Sequence, residues 1–455
     1  MTFGRLKARF GLAPAAPTRA FPAERSGRPA PDQAAVADSV GPKPARDLSA
    51  PAAPSASVPG SLERAQIETS EPAALETGGM LTIDLAAIVK NWKAMANRVV
   101  PADCAAVVKA DAYGCGIDKV AAALAEAGCA TFFVAYLAEA RQVRAAVRAV
   151  APDAAIYVLN GLPPGAAPIF AEINARPAIG SLAEFVEWDA YRTASRWGGG
   201  AALHFDTGMN RLGFALTEAP LFTTRVKMPG HGISLVISHL ACADTPNHPL
   251  NAKQIEAFRD LRFMFRGTPT SLANSSGIFL GPATHCDMVR PGAALFGVNP
   301  TPASLNLMEP VITLTARIVQ VRDVPRGETV GYGATWTARR ASRVAIVPVG
   351  YADGYPRAAD GARVGAKGSK LTESAAKSDA FALIASRRCP LAGRVSMDLM
   401  AFDVTGLPEE EVRRGTHATL IGDDITVDDV ASWSGTIGYE VLTRLGRRYR
   451  REWRR

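Results

Sequence analysis

The chain has 455 residues, with 51 Lys and Arg against 43 Asp and Glu for a net charge of +8, and 48% of it is hydrophobic. It is long and apolar enough to bury the cores of two or three domains, which excludes a disordered chain beyond the first eighty residues. No run of 18 consecutive apolar residues occurs, so a transmembrane helix is excluded and no membrane role is expected.

Residues 1–79 hold 11 of the 32 prolines, in stretches such as AAPTRAFPAERSGRPAPDQ and SAPAAPSASVPG. Such a composition buries too little apolar surface to offset ordering entropy, so a disordered Pro/Ala-rich extension is expected over 1–79. The first residues, MTFGRLKARF, lack the apolar run of a secretory signal. A transit-like segment and a natural start at Met80 both stay open, since folded patterning begins there.

From Leu81 a strand-like LTID leads into a helical LAAIVKNWKAMANRV. Eight strand candidates follow: Cys104–Lys109, Thr131–Tyr136, Ala155–Leu159, Pro177–Gly180, Ala202–Asp206, Ser234–His239, Ser271–Asn274 and Met288–Gly292. Each but the last is followed by room for a helix. Near-continuous apolar strands alternating with helices predict a parallel sheet, and eight such units predict a (β/α)8 TIM-type barrel over 80–305. After it, runs such as ITLTARIVQVRDV and SRVAIVPVG alternate with Gly, Pro and Asp turns. They predict a mostly antiparallel β domain over 306–455. Ala359–Lys377 reads as a Gly, Ser and Lys-rich surface loop, and its GAKGSK lacks the spacing of a phosphate loop. The last twelve residues, RLGRRYRREWRR, carry seven Arg and one Glu. With no aromatic-lined basic groove beside them, a solvated chain end is expected in preference to a nucleic-acid or membrane patch.

The polar residues at the strand ends carry the chemical signal, because barrel active sites sit at that face. Lys109 closes the first strand, Asp206 and Arg211 follow the fifth, His239 closes the sixth, Asn274 and Ser275 the seventh, and Arg290 the eighth. A lysine at the end of an apolar strand is desolvated, which lowers its pKa and makes a nucleophilic amine; the alternative is a packed stem with its head in solvent. Ser275, the amides around Gly292 and nearby tyrosine hydroxyls suit a phosphate, and Arg290 suits a ring nitrogen. Together these describe a pyridoxal 5'-phosphate (PLP) site. The six cysteines show no C-x-x-C and the six histidines no zinc spacing, so neither a disulfide framework nor a metal site is expected, and a reducing cytoplasm fits.

The motifs VVKADAYG, DTGMNRLG, SHLACAD, MVRPGAALFG, VGYGATWTA, VGYADGYPR, GRVSMD and TIGYE resemble those of alanine racemases, in the same order. The resemblance covers the chain from Leu81 onward and implies a PLP-dependent homodimer that interconverts L- and D-alanine, for cell-wall peptidoglycan or for alanine breakdown. It implies Lys109 as the Schiff-base lysine and the base on one face of the substrate Cα, and Tyr332, from the other subunit, as the base on the opposite face. Arg290 would hold the pyridine nitrogen, and His239 would link Tyr332 to Arg290. The phosphate would lie against Tyr113, Ser275, Gly292, Ala293 and Tyr439, with Asn274 in the cofactor shell. Arg211, Met397 and Asp398 would bind substrate, the last two from the partner chain, and Asp244, Tyr351 and Arg394 would line the entrance.

Two bases on opposite faces of a planar carbon suit racemisation, provided Lys and Tyr, both near 10 in water, are shifted toward neutrality. The chain departs from the family pattern at Asp111 and Cys115, often Asn and His. It departs also at His204, where many members carry a lysine that braces the Arg211 equivalent and is carbamylated in some. Three rival readings stand beside it: a broad-specificity amino-acid racemase on the same fold, a related PLP decarboxylase, and a non-catalytic PLP carrier or regulator. Arg290 in place of a glutamate disfavours the second, and the β domain with Tyr332 and the Met397–Asp398 pair disfavours the third.

Overall fold

The protein is described by a computed structural model that covers residue 73 and residues 75–360 and 379–455. Nearly all of the expected extension at 1–79 lies outside the described residues, as does all but the start of the expected loop at 359–377.

All eight barrel strands are present, and all but Arg176–Ile179 are shorter than their expected runs. The first is broken at Ala105 into Asp103–Cys104 and Ala106–Val107; the others are Thr131–Val134, Ala155–Val158, Arg176–Ile179, Ala201–His204, Ile233–Ile237, Thr270–Ser271 and Met288–Val289. Every pairing is parallel. The ring closes because the two pieces of the first strand face opposite neighbours: Ala106 and Val107 pair with Phe132 and Phe133, while Asp103 and Cys104 pair with Met288 and Val289. The pleat sorts the side chains. Ala105, Val107, Phe133, Tyr157, Ala178, Ala202, Leu235 and Ile237 pack together inside the ring. Their neighbours in sequence, such as Phe132, Ile156 and Val236, pack outward against the helices. Each large apolar side chain buried this way stabilises the fold by roughly 1.5–3 kcal/mol. The filled interior blocks the barrel and leaves the strand ends as the place for a site.

The helix Leu85–Val99 matches the expected stretch, and Asp84 caps it by accepting from Ala87 N at 2.8 Å. The strand before it, Gly79–Asp84, does not join the barrel. It lies in a six-stranded sheet of the C-terminal region, antiparallel to Ile312–Arg317 on one side and parallel to Arg450–Arg454 on the other. The rest of that region is antiparallel: Gln320–Val324, Ser342–Val347 and Met400–Asp403 form a second sheet, and Thr329–Val330 pairs with Trp336–Thr337.

The expected solvated chain end is corrected by the structure. Arg450–Arg454 is a paired strand whose register sets Arg451 against Leu81 and Trp453 against Ile83. Arg448 pairs with Asp353 at 3.1 Å and Asp398 at 2.8 Å, and the Arg451 side chain is 9% exposed. The arginines spend their charge on carboxylates and carbonyls of the fold, a use that charge density alone does not reveal. Among the described residues no helix is long and apolar enough to cross a membrane. All six cysteines are free thiols.

Candidate active site

Lys109 does not end a strand. It opens a turn, Lys109–Tyr113, in which Ala110, Asp111, Ala112 and Tyr113 have φ of 54°, 54°, 52° and 55°. Four consecutive non-glycine residues in the left-handed region cost about 1–2 kcal/mol each, so the turn stands only because contacts hold it. Glu139 Oε1 accepts from Ala110 N at 2.7 Å, Asp111 Oδ1 accepts from Ile117 N at 2.8 Å, and Gly114 N donates to Ala110 O at 2.9 Å. The result leaves the Lys109 amine half-buried at the mouth and carries Tyr113 onto Phe296, ring on ring at 4.8 Å.

Around Lys109 the mouth is cationic. Burial and then the nearby Arg211 guanidinium lower the Lys109 amine from its ordinary value, against a smaller opposing pull from Glu139. Burial, then Arg290, Arg211 and Lys109, hold the His239 imidazole down at about 3. His204 is held at about 4 by burial, Arg290 and Arg211. Arg290 is 4% exposed, and burial brings it down to about 10, still cationic at neutral pH. Its terminal nitrogens donate to Ser271 Oγ at 2.5 Å and to Ser238 O at 2.6 Å, and its guanidinium lies 5.7 Å from the Phe133 ring centre. Ser238 is itself held, its hydroxyl 2.7 Å from that of Thr207. Arg211 rides an exposed loop whose start is braced by Asp206, which accepts from Gly208 N and Met209 N at 2.8 Å.

A second group lies beside the first. Ser275 Oγ accepts from Gly292 N at 2.9 Å and Ala294 N at 3.2 Å. Ala293 opens the short 3-10 helix Ala293–Phe296. A Cβ on Gly292 would overlap the Tyr113 hydroxyl, so only glycine allows this approach. Tyr439 stands edge-on to Tyr113 at 6.5 Å. Burial raises both phenols, helped by their mutual proximity for Tyr113 and by Asp244 for Tyr439. They are hydroxyl donors at neutral pH. Asn274, expected in the cofactor shell, uses its Oδ1 to accept from Gly277 N at 2.8 Å, capping the following turn.

These observations test the fit of PLP. The Tyr113 hydroxyl and Ser275 meet at Gly292, where the Gly292 and Ala294 amides donate to Ser275 Oγ, and Tyr439 stands beside Tyr113. The mouth beside them collects three cationic groups and two neutral imidazoles, an arrangement that calls for an anion. Tyr113, Tyr439, Ser275 and the Gly292 and Ala294 amides suit a phosphate, Lys109 suits the aldehyde carbon, and Arg290 suits the ring nitrogen. The residues present fit the group.

Of the remaining expected site residues, Tyr332, Tyr351, Met397 and Asp398 are exposed in the C-terminal region, Arg394 is half-buried there, and Asp244 is exposed in the barrel loop after Ile233–Ile237. Tyr332 is 70% exposed and Met397 53%. Tyr351 N donates to Ser396 O at 3.0 Å and Ala352 N to Met397 O at 2.9 Å, so Tyr351, Met397 and Asp398 share one patch. Arg394 lies beside Gly333 and 3.7 Å from Asp360. Motif reading missed Glu139, Ser238 and Ser271. Ser271 was visible as a polar residue inside an apolar strand, while Glu139 follows a helix N-cap at Tyr136, which no capping signature marks.

A closed parallel barrel with a lysine and an anion cradle at its mouth, joined to an antiparallel region, is the fold of a PLP-type barrel enzyme. The chain belongs to the alanine racemase family: its N-terminal domain model matches residues 83–300 and its C-terminal domain model residues 311–453. The alanine racemase of Methylobacterium sp. (strain 4-46) is 48% identical over 374 residues, 82% of this chain and 97% of that protein. That of Rhizobium meliloti (strain 1021) is 45% identical over 381 residues, 84% of this chain and 98% of that protein. The crystal structure of alanine racemase from Bartonella henselae with covalently bound pyridoxal phosphate superposes with a TM-score of 0.73 at 34% identity, covering 84% of this chain and all of that one.

Proposed function

We propose that this chain interconverts L- and D-alanine with PLP seated at the barrel mouth, in the cytoplasm, as a homodimer built from an 80–305 barrel and a 306–455 β domain. The observation that carries the reading is the half-buried Lys109 amine, lowered by burial and Arg211 beside an anion cradle. When bound, PLP supplies an electron-withdrawing ring that acidifies the substrate Cα–H.

The chain's own groups do the rest. Lys109 Nζ, lowered from its ordinary value by burial and Arg211, takes or returns a proton on one face of Cα. Tyr332 serves the opposite face of the partner's site. Its exposure, with that of Met397, supports a donated role: an aromatic and a thioether left in solvent by one chain are covered when a second chain docks. Arg290, cationic and fixed by Ser271 and Ser238, keeps a proton from the ring nitrogen it faces. Arg211 places a positive charge for the substrate carboxylate, with Met397 and Asp398 bounding a small side chain. Asp244, Tyr351 and Arg394 line the way in.

The test is a purified-protein assay with L-alanine in deuterated water, following chirality and exchange at Cα, with borohydride reduction to mark the lysine bound to the cofactor. Racemisation with solvent deuterium at Cα and a label on Lys109 is expected. A label on another lysine, or no exchange, overturns the reading.

A further inference from the structure

We propose that the C-terminal strand Arg450–Arg454 clamps the strained turn that carries Lys109 and Tyr113, with Arg451 and Trp453 as positioning residues for the cofactor grip. This rests on the reading of Lys109 and Tyr113 given above.

The four left-handed residues have no glycine among them. The exit amides of Gly114, Cys115 and Gly116 donate back to Ala110 O, Ala112 O and Asp111 O, while the exit carbonyls of Gly114 and Cys115 are held from outside the turn. The C-terminal strand supplies that fixing. Arg451 Nη1 donates to Gly114 O at 2.7 Å. Its other terminal nitrogen donates to Leu445 O at 2.9 Å and Gly446 O at 3.3 Å, and Asp111 Oδ2 lies 3.9 Å away. Trp453 Nε1 donates to Cys115 O at 2.8 Å. Its ring packs so tightly on Gly116 that a Cβ there would lie 2.9 Å from Cζ2. Arg451 and Trp453 are two apart on one strand, so the pleat presents both to the same side.

The three carbonyls held by Arg451 belong to two different parts of the cradle. Gly114 follows Tyr113. Leu445 and Gly446 end the helix Gly438–Arg444, which carries Tyr439. One guanidinium therefore ties together the supports of the two phenols that face the phosphate seat. The planar fork of arginine reaches carbonyls on both sides at once, which lysine does not. Asp111, a departure from the family's usual asparagine, adds a carboxylate on the turn itself.

The variants are Arg451→Met, Arg451→Lys and Trp453→Phe, with Arg450→Met as a control on the opposite face of the same strand. Two measurements are made on the purified full chain. PLP titration gives the cofactor dissociation constant, and hydrogen exchange of the 109–116 segment is followed in the cofactor-free protein. Arg451→Met is expected to weaken PLP binding about tenfold and to speed exchange of that segment, with Trp453→Phe about threefold and Arg451→Lys between them. Arg450→Met is expected to leave both unchanged. The proposal is overturned if Arg451→Met and Trp453→Phe bind PLP as the parent does, or if Arg450→Met weakens binding equally, since that marks a general loss of strand stability. Should Arg451→Met fail to fold, Trp453→Phe, which keeps an aromatic ring but removes the donor and the indole atoms packed on Gly116, decides by the same criteria. A parent protein that binds no PLP at Lys109 defeats the functional reading, a result distinct from these.

Discussion

Gly292 approaches the Tyr113 phenol so closely that a methyl group on its Cα would overlap the hydroxyl oxygen. Gly292→Ala therefore places steric bulk directly against the phenol. The phenol must swing off its stack on Phe296 to make room. We expect Gly292→Ala to fold normally by circular dichroism and to bind PLP about tenfold more weakly, as read by fluorescence titration. Unchanged affinity would show that Tyr113 does not take part in the grip.

The two imidazoles at the mouth make stability depend on pH. His204 and His239 titrate near 6.5 in an unfolded chain but at about 4 and about 3 in the fold. Below pH 6.5 the unfolded chain takes up protons that the folded one refuses, so stability falls as pH drops from 6.5 toward 4 and 3. The loss is on the order of 3–4 kcal/mol for each imidazole by the lower end of that range. Urea unfolding at a series of pH values measures it, and His204→Gln is expected to flatten the slope. A parent and variant with the same slope would place the proton uptake elsewhere.

Arg448 joins the buried carboxylate of Asp353 to the exposed carboxylate of Asp398, next to Met397. The Asp398 contact is half in solvent and is worth little to stability, whereas Asp353 is 5% exposed and loses a cation. Arg448→Met is expected to cost about 1 kcal/mol of unfolding free energy and to raise KM for alanine several-fold with a smaller change in kcat, because the Met397–Asp398 segment loosens. A fall in kcat alone would remove that segment from substrate binding.

The placement of Lys109 in one subunit and Tyr332 in the other is tested by mixing. Lys109→Ala and Tyr332→Phe proteins are each expected to be nearly inactive. After subunit exchange each heterodimer regains one site with both bases, and activity returns to about a quarter of the parent's. No recovery despite exchange, followed by native mass spectrometry, would put both bases in one chain.

Much of this was legible in the residues. Near-continuous apolar runs located all eight barrel strands and the helical pattern located Leu85–Val99, because burial against neighbours dictates both. Lys109, Arg211, His239 and Arg290 were legible as polar interruptions at strand ends, and the structure gathers them at one mouth. Three things were not legible. Local propensity argues against four left-handed residues at Ala110–Tyr113, since the contacts that impose them come from Glu139 and the C-terminal strand. The pairing of Met80 with Arg450 joins residues far apart, and a short alternating run does not say which sheet it enters. The arginines at the chain end looked like solvent-facing charge because carbonyl acceptors leave no trace in composition.

The same pairing has a bearing on how the polypeptide is made. Gly79–Asp84 leaves the ribosome ahead of the whole barrel, yet its two neighbours, Ile312–Arg317 and Arg450–Arg454, emerge only much later. Until Ile312–Arg317 emerges this segment has both backbone edges open, and until Arg450–Arg454 emerges it keeps one, exposed to chaperones and to other nascent chains. The six-stranded sheet is therefore completed only once Arg450–Arg454 has emerged, so the support of the Lys109–Tyr113 turn is assembled later than the barrel that carries it.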